Sequence, residues 1–183
     1  FIIPVKKPTP SPLVFSWDPE PIANSLFSEE EMAKIKFKDF LDIQKAINDL
    51  FPGWIISDCG TDMNPGYREE YRGKKDVIMT HPLTRETPCI LSTEIDVPKN
   101  KKTLLKTLVS HHDKGDWELI IRVNGSIQKT ITIGKETVNS DGWLEVVFDL
   151  TPFSGSKNVK IDLENKANGW AWEAGYWKEI RIE

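Results

Sequence analysis

The chain has 183 residues, enough for one domain with a substantial core and too few for two ordinary ones. Its formal net charge is -4, from 24 Lys and Arg against 28 Asp and Glu, and no basic block interrupts it, which argues against nucleic acid and anionic membranes as partners. No apolar run approaches the roughly 20 residues needed to cross a bilayer, so no transmembrane segment is expected.

Phe1 rather than Met opens the chain, so an upstream segment is expected to have been removed. Residues 1–21 carry six of the twelve prolines, Pro4, Pro8, Pro10, Pro12, Pro19 and Pro21. Proline fixes φ and supplies no backbone donor. Residues 1–27 therefore read as an extended tether to an anchor or another module, or as a strap held on the domain by Val14, Phe15 and Trp17.

Residues 28–53 read as a helical segment packed on the domain formed by residues 54–183. Ser28 and Glu31 form a capping box, and Met32, Ile35, Phe40, Ile43, Ile47 and Leu50 recur at helical spacing. Phe37 and Leu41 fall off that stripe, so one kinked helix or two short ones are both open. Phe51, Pro52 and Gly53 end it.

From Trp54 the apolar period changes from 3.6 to 2, the mark of strands with one buried face. Strands are expected over Trp54–Ser57, Asp76–Thr80, Cys89–Val97 and Leu104–Ser110. Trp117, Leu119, Ile121 and Val123 then face Ile127, Ile131 and Ile133 across Asn124 and Gly125, which predicts a hairpin. A three-residue loop of Val123, Asn124 and Gly125, with Gly125 left-handed, would pair Ile121 with Ile127 and Trp117 with Ile131. Leu144, Val146, Phe148 and Leu150 come next, then Val159, Ile161 and Leu163, and Ile180 with Ile182 close the chain. Eight to ten strands without an intervening long helix predict a mainly β fold, an antiparallel β-sandwich of jelly-roll type over residues 54–183.

The two cysteines, Cys59 and Cys89, lie in or beside predicted strands. They read as a bridge formed in an oxidising compartment or as two buried free thiols.

Three segments carry a resemblance. They are Gly115-Asp116-Trp117-Glu118-Leu119 leading to Val123-Asn124-Gly125; Asp149-Leu150-Thr151-Pro152-Phe153-Ser154-Gly155; and Glu164-Asn165 with Trp170-Ala171-Trp172-Glu173-Ala174-Gly175-Tyr176-Trp177. From about Trp54 to Glu183 the chain resembles the galactose-binding-domain-like jelly rolls, such as the carbohydrate-binding-module-like accessory domains of bacterial polysaccharide-processing proteins. The resemblance implies the fold and a tendency to bind sugars, without a mapped ligand site. A structural Ca²⁺, as in many such jelly rolls, would find loose candidate ligands in Asp58, Asp62 and Asn64; otherwise no cofactor is expected.

Seven tryptophans supply either core or flat surfaces for the C–H face of a pyranose. Trp117 shares the inward phase of Leu119 and Ile121 and is expected in the core, as are Trp54 and Trp143. The candidate binding stretch is Asn165 to Trp177. There Asn165, Asn168 and Gly169 read as a turn, Trp170 and Trp172 share one face of a strand, and Glu173 and Tyr176 stand nearby. Two indoles beside a carboxylate and two amides can stack on a sugar and grip vicinal hydroxyls; the alternative is that the indoles plug the end of the sandwich. His111, His112 and Asp113, where a strand runs into a loop, are further candidates. Adjacent strand residues point to opposite faces, so they do not form a zinc site.

Glu94, Asp113, Glu164 and Glu173 are the acids from which a glycosidase would need a facing pair, and nothing in the sequence pairs them. No catalytic motif of other hydrolases is present. The sequence thus predicts a non-catalytic carbohydrate-binding accessory module of a secreted, periplasmic or cell-surface bacterial protein. Its expected partners are a glycan and flanking domains of the same polypeptide. The alternatives are a structural or protein-docking sandwich and, behind it, a hydrolase.

Overall fold

Most strands from Ile55 onward bury one row of side chains, and two sheets stack to hide those rows from water. The computed structural model describes residues 42–183. The chain divides into two units, Phe1–Lys36 and Phe37–Glu183. The proline-rich segment and the Ser28 capping box lie outside the described residues.

Helix α1 (residues 42–50) leads into ten strands: β1 Ile55–Ser57, β2 Gly66–Tyr71, β3 Lys74–Thr80, β4 Cys89–Ile95, β5 Leu104–His111, β6 Trp117–Val123, β7 Ser126–Ile133, β8 Trp143–Asp149, β9 Val159–Ala167 and β10 Gly175–Ile182. One sheet has the order β1-β4-β9-β6-β7 and the other β2-β3-β10-β5-β8. Every pairing is antiparallel. The third strand of each sheet is β9 or β10, so consecutive strands occupy the two central positions. Among the described residues no helix is long and apolar enough to cross a membrane.

The main core lies between the sheets. Leu91, Leu119, Ile121 and Leu163 from one sheet meet Leu105, Val109, Val146 and Trp177 from the other. Ile43 and Ile47 of α1, with Phe51 and Trp54, join the same cluster. The amide of Gln44 fixes the helix to β1: it donates to the Trp54 carbonyl at 3.1 Å and accepts from the Ile56 N–H at 2.8 Å. A second cluster gathers Val77, Met79, Trp143, Ala174 and Tyr176, with Tyr71, Met63 and Leu108 against it. Tyr176 and Trp177 are consecutive in β10 and point to opposite faces, so this second cluster occupies the outer side of that sheet. The end of the β2–β3 hairpin covers it through Tyr71.

Three expectations change. The β6–β7 hairpin turns on two residues, Asn124 and Gly125, both at positive φ (49° and 79°), with Val123 opposite Ser126. This is the primed turn that Asn-Gly favours. The register is corrected further along, where a bulge lets Arg122 face Ile127 but Ile121 face Lys129, so Leu119 meets Ile131 and Trp117 meets Ile133. Ile127, expected inward, is 53% exposed. Strand β2, Gly-Tyr-Arg-Glu-Glu-Tyr, has no counterpart among the expected strands, because an edge strand with few buried positions carries no apolar alternation. Strand β10 begins at Gly175 rather than near Ile180, because burial on both faces replaces alternation with a continuous run.

Candidate functional site

Antiparallel register brings one set of loops together. Thr80 and His111 both sit opposite Gly175, Ser110 opposite Trp143, and Trp117 opposite both Ala167 and Ile133. The loops 81–88, 112–116, 134–142 and 168–174 therefore share one end of the sandwich.

Loop 168–174 is folded around a carboxylate. Glu173 is 2% exposed and accepts the backbone N–H groups of Asn168 and Gly169, each at 2.9 Å. Burial pushes the Glu173 carboxyl up, against the lowering effect of those two N–H groups. The turn also holds Trp172 at φ 68°, a left-handed conformation that a bulky residue adopts only when its surroundings enforce it. Gly115 in the neighbouring loop helps to enforce it. A Cβ there would lie 2.5 Å from the Trp172 carbonyl oxygen and 2.7 Å from that of Ala171, so only glycine admits so close an approach.

The result is a division among the tryptophans. Trp54, Trp117, Trp143 and Trp177 are buried, whereas Trp170 and Trp172 are 38% and 42% exposed. The Trp172 ring stacks on His112 (centroids 4.7 Å apart, planes within 10°), and Lys114 Nζ stands 4.9 Å from its centroid. Trp170 meets His81 edge-on at 5.7 Å. Burial against these neighbours pulls the His112 pKa down, more than Asp113 raises it. The side-chain amide of Asn168 donates to Asp116 at 3.1 Å on the exposed rim.

The other candidate residues divide by position. Asn165 lies within β9 rather than in a turn; it is buried, donating to the Thr80 carbonyl at 3.2 Å and to Thr80 Oγ1 at 3.0 Å. Tyr176 is buried under Tyr71. Trp170 and Trp172 project from a loop instead of sharing a strand face. His111 is buried at the end of β5, and exposed Asp113 pairs with Arg72 from the β2–β3 turn. His112, Asn168, Trp170 and Trp172 thus meet solvent together, while Glu173 supports them from beneath.

Asp58, Asp62 and Asn64 occupy an exposed loop between β1 and β2, and the Asn64 carbonyl accepts from Arg68. Among the described residues no three His, Cys, Asp or Glu side chains gather as a metal ion would require. Cys59 and Cys89 are both free, and the Cys59 thiol donates to the His81 carbonyl at 3.4 Å. The sequence reading missed the contribution of loop 134–142. Its residues Lys135, Glu136 and Thr137 look like an ordinary polar turn, and only the strand register sets them beside His111 and Asp116.

Comparison with known proteins supplies an architecture. No family model matches the chain, and no curated protein matches it. Among solved structures, the K3 adhesin domain of the Lys-gingipain of Porphyromonas gingivalis is similar at 10% identity, over 75% of this chain and 95% of that one, with a TM-score of 0.52. A cyclase from Fischerella sp. is similar at 15% identity, over 73% and 83%, with a TM-score of 0.50. The fold is an antiparallel β-sandwich of two five-stranded sheets. The CBM22-1 xylan-binding domain of Paenibacillus barcinonensis Xyn10C is also among the matches, at 15% identity over 73% and 86%, with a TM-score of 0.48. At these identities the likeness concerns the fold.

Proposed function

We propose that this jelly roll binds glycan through loop 168–174 without acting on it, as an accessory module of a secreted, periplasmic or cell-surface bacterial protein. The observation that carries the reading is the placement of Trp170 and Trp172. A protein that buries its other described tryptophans has fixed these two in solvent, on a loop braced by Glu173 and Gly115. Indole edges and faces suit the C–H surface of a pyranose, and the Asn168–Asp116 pair beside them suits its hydroxyls.

Three of the four candidate acids are engaged elsewhere, which supports a non-catalytic role. Glu164 is paired with Arg122, Asp113 with Arg72, and Glu173 with the loop backbone. A shallow site of one or two aromatics corresponds to Kd values of about 1 μM to 1 mM.

Calorimetry against xylan, galactan and cellulose oligosaccharides, with Trp170→Ala and Trp172→Ala beside the parent, tests the reading. Binding by the parent that either variant weakens at least tenfold is the expected result. Equal binding by all three chains, or none by the parent, would remove the indoles from the site.

A further inference from the structure

We propose that Asn124-Gly125, at the tip of the β6–β7 hairpin, is a site of spontaneous covalent modification, deamidation through a cyclic imide, and that Glu173 holds the other Asn-Gly pair, Asn168-Gly169, unreactive. The inference does not rest on glycan binding. Asn-Gly occurs in the sequence at these two places and no other.

Gly125 N attacks Asn124 Cγ and gives up its proton to solvent base, and Nδ2 leaves as ammonia, closing the imide. Water then opens the ring at either carbonyl. Opening at Cγ yields Asp; opening at the main-chain carbon yields isoaspartate, in which the chain runs through Cβ. Water enters, ammonia leaves, and no electrons are exchanged. Glycine favours the attack because no Cβ shields its nitrogen.

The two pairs share this chemistry and differ in their surroundings. Asn124 and Gly125 are both exposed, at φ 49° and 79°. A Cβ on Gly125 would meet no atom within 4 Å, and among the described residues neither the Gly125 N–H nor Asn124 Nδ2 has a hydrogen-bond partner. Asn124 Oδ1, where charge gathers as Cγ is attacked, accepts the Lys160 N–H at 3.0 Å. Nucleophile and leaving group are free, and a donor polarises the carbon between them.

In Asn168-Gly169 the same groups are engaged. The Gly169 N–H donates to Glu173 Oε1 and the Asn168 N–H to Oε2, each at 2.9 Å, and Asn168 Nδ2 donates to Asp116 at 3.1 Å. Attack by Gly169 N would strip a donor from a carboxyl that is 2% exposed, leaving a buried acceptor unsatisfied. The pairs also lie at opposite ends of the sandwich, since Asn124 follows Val123 and loop 168–174 follows Ala167, which pairs with Trp117. Ageing at Asn124 therefore adds one negative charge to a net -4 and leaves that loop unaltered. In the isoaspartate form the longer backbone no longer fits the two-residue primed turn.

The purified chain is aged in mildly alkaline buffer, folded and, in parallel, in urea. Peptide masses report the exchange of –NH2 for –OH at each asparagine, and isoaspartate-specific methylation reports the rerouted backbone. In the folded chain Asn124 should convert at least roughly tenfold faster than Asn168. In urea the two should convert at similar rates, because both precede glycine. Glu173→Ala should raise the Asn168 rate about tenfold in the folded chain and leave Asn124 unchanged. The folded and unfolded parent carry the test if that variant does not fold. Folded Asn168 converting as fast as Asn124, or Asn124 converting in urea but not in the folded chain, would overturn the proposal. A folded Glu173→Ala chain in which Asn168 stays unreactive would overturn the role of Glu173.

Discussion

The ring of Tyr71 lies flat on that of Tyr176, with centroids 3.7 Å apart and planes within 1° of parallel. Tyr71 belongs to the β2–β3 hairpin, and its hydroxyl donates to the His111 carbonyl at 2.8 Å. The hairpin is thereby fastened across β10 to β5. Tyr71→Phe should keep the stack and lose about 1 kcal/mol for the hydrogen bond. Tyr71→Ala should lose about 2–4 kcal/mol, as the outer cluster loses its cover. Denaturant unfolding that ranks the two variants in the opposite order would show that the hairpin is not held this way.

Glu173 and Asp149 should impose opposite pH dependences. The folded Glu173 carboxyl is raised above its ordinary 4.5, chiefly by burial, so the folded chain holds this proton more tightly than the unfolded chain. Its contribution is greatest below about 4.5 and is lost as pH rises through the raised value. Asp149 is held below its ordinary 3.8 by the Thr151 hydroxyl and N–H. Its contribution is present above 3.8 and is lost as pH falls through the lowered value. With rising pH, the stability of the parent relative to Glu173→Gln should therefore fall, and its stability relative to Asp149→Asn should rise, both read from thermal unfolding.

His112 offers an optical readout of the loop. Its pKa lies below the ordinary 6.5 because burial disfavours the charged ring, so the stability it contributes is present above 6.5 and fades as pH falls through the folded value. An imidazolium stacked on an indole quenches it. Tryptophan fluorescence should fall in a titration centred below 6.5, and His112→Ala should abolish that step. A step unchanged by His112→Ala would place the quencher elsewhere.

The two thiols should differ in reactivity. The Cys89 thiol holds Cys59 below the ordinary thiol range, while burial pushes Cys89 well above it. Iodoacetamide on the folded chain should label Cys59 first. Oxidised glutathione should join the pair, and closing the loop from 59 to 89 should stabilise the fold by about 3–4 kcal/mol. Peptide masses show the labelling order, and non-reducing digestion shows the bridge.

The sandwich was legible because β4, β5, β6 and β8 each keep one face to the core, leaving period two in the sequence. The exceptions were informative. Nothing in Gly66–Tyr71 distinguishes an edge strand from a polar loop. Tyr176 and Trp177 serve two different cores, so their strand lost its alternation. The candidate site shows in the sequence as residue types, without the positions that the fold gives them. The cluster Trp-Ala-Trp-Glu announces aromatics beside an acid, but that Glu173 turns inward to hold the loop depends on backbone N–H groups that no residue letter encodes. The carbonyls of His112 and Gly115 that hold the His111 ring belong to its own loop and are equally silent in sequence.

The loop that carries Trp170 and Trp172 joins β9 to β10, the middle strands of the two sheets. If a polymer is held there, as proposed, tension on it would enter the protein at two central strands, each hydrogen-bonded along both flanks. Outer strands such as β1 or β7 could fray under such a pull without letting go of the cargo.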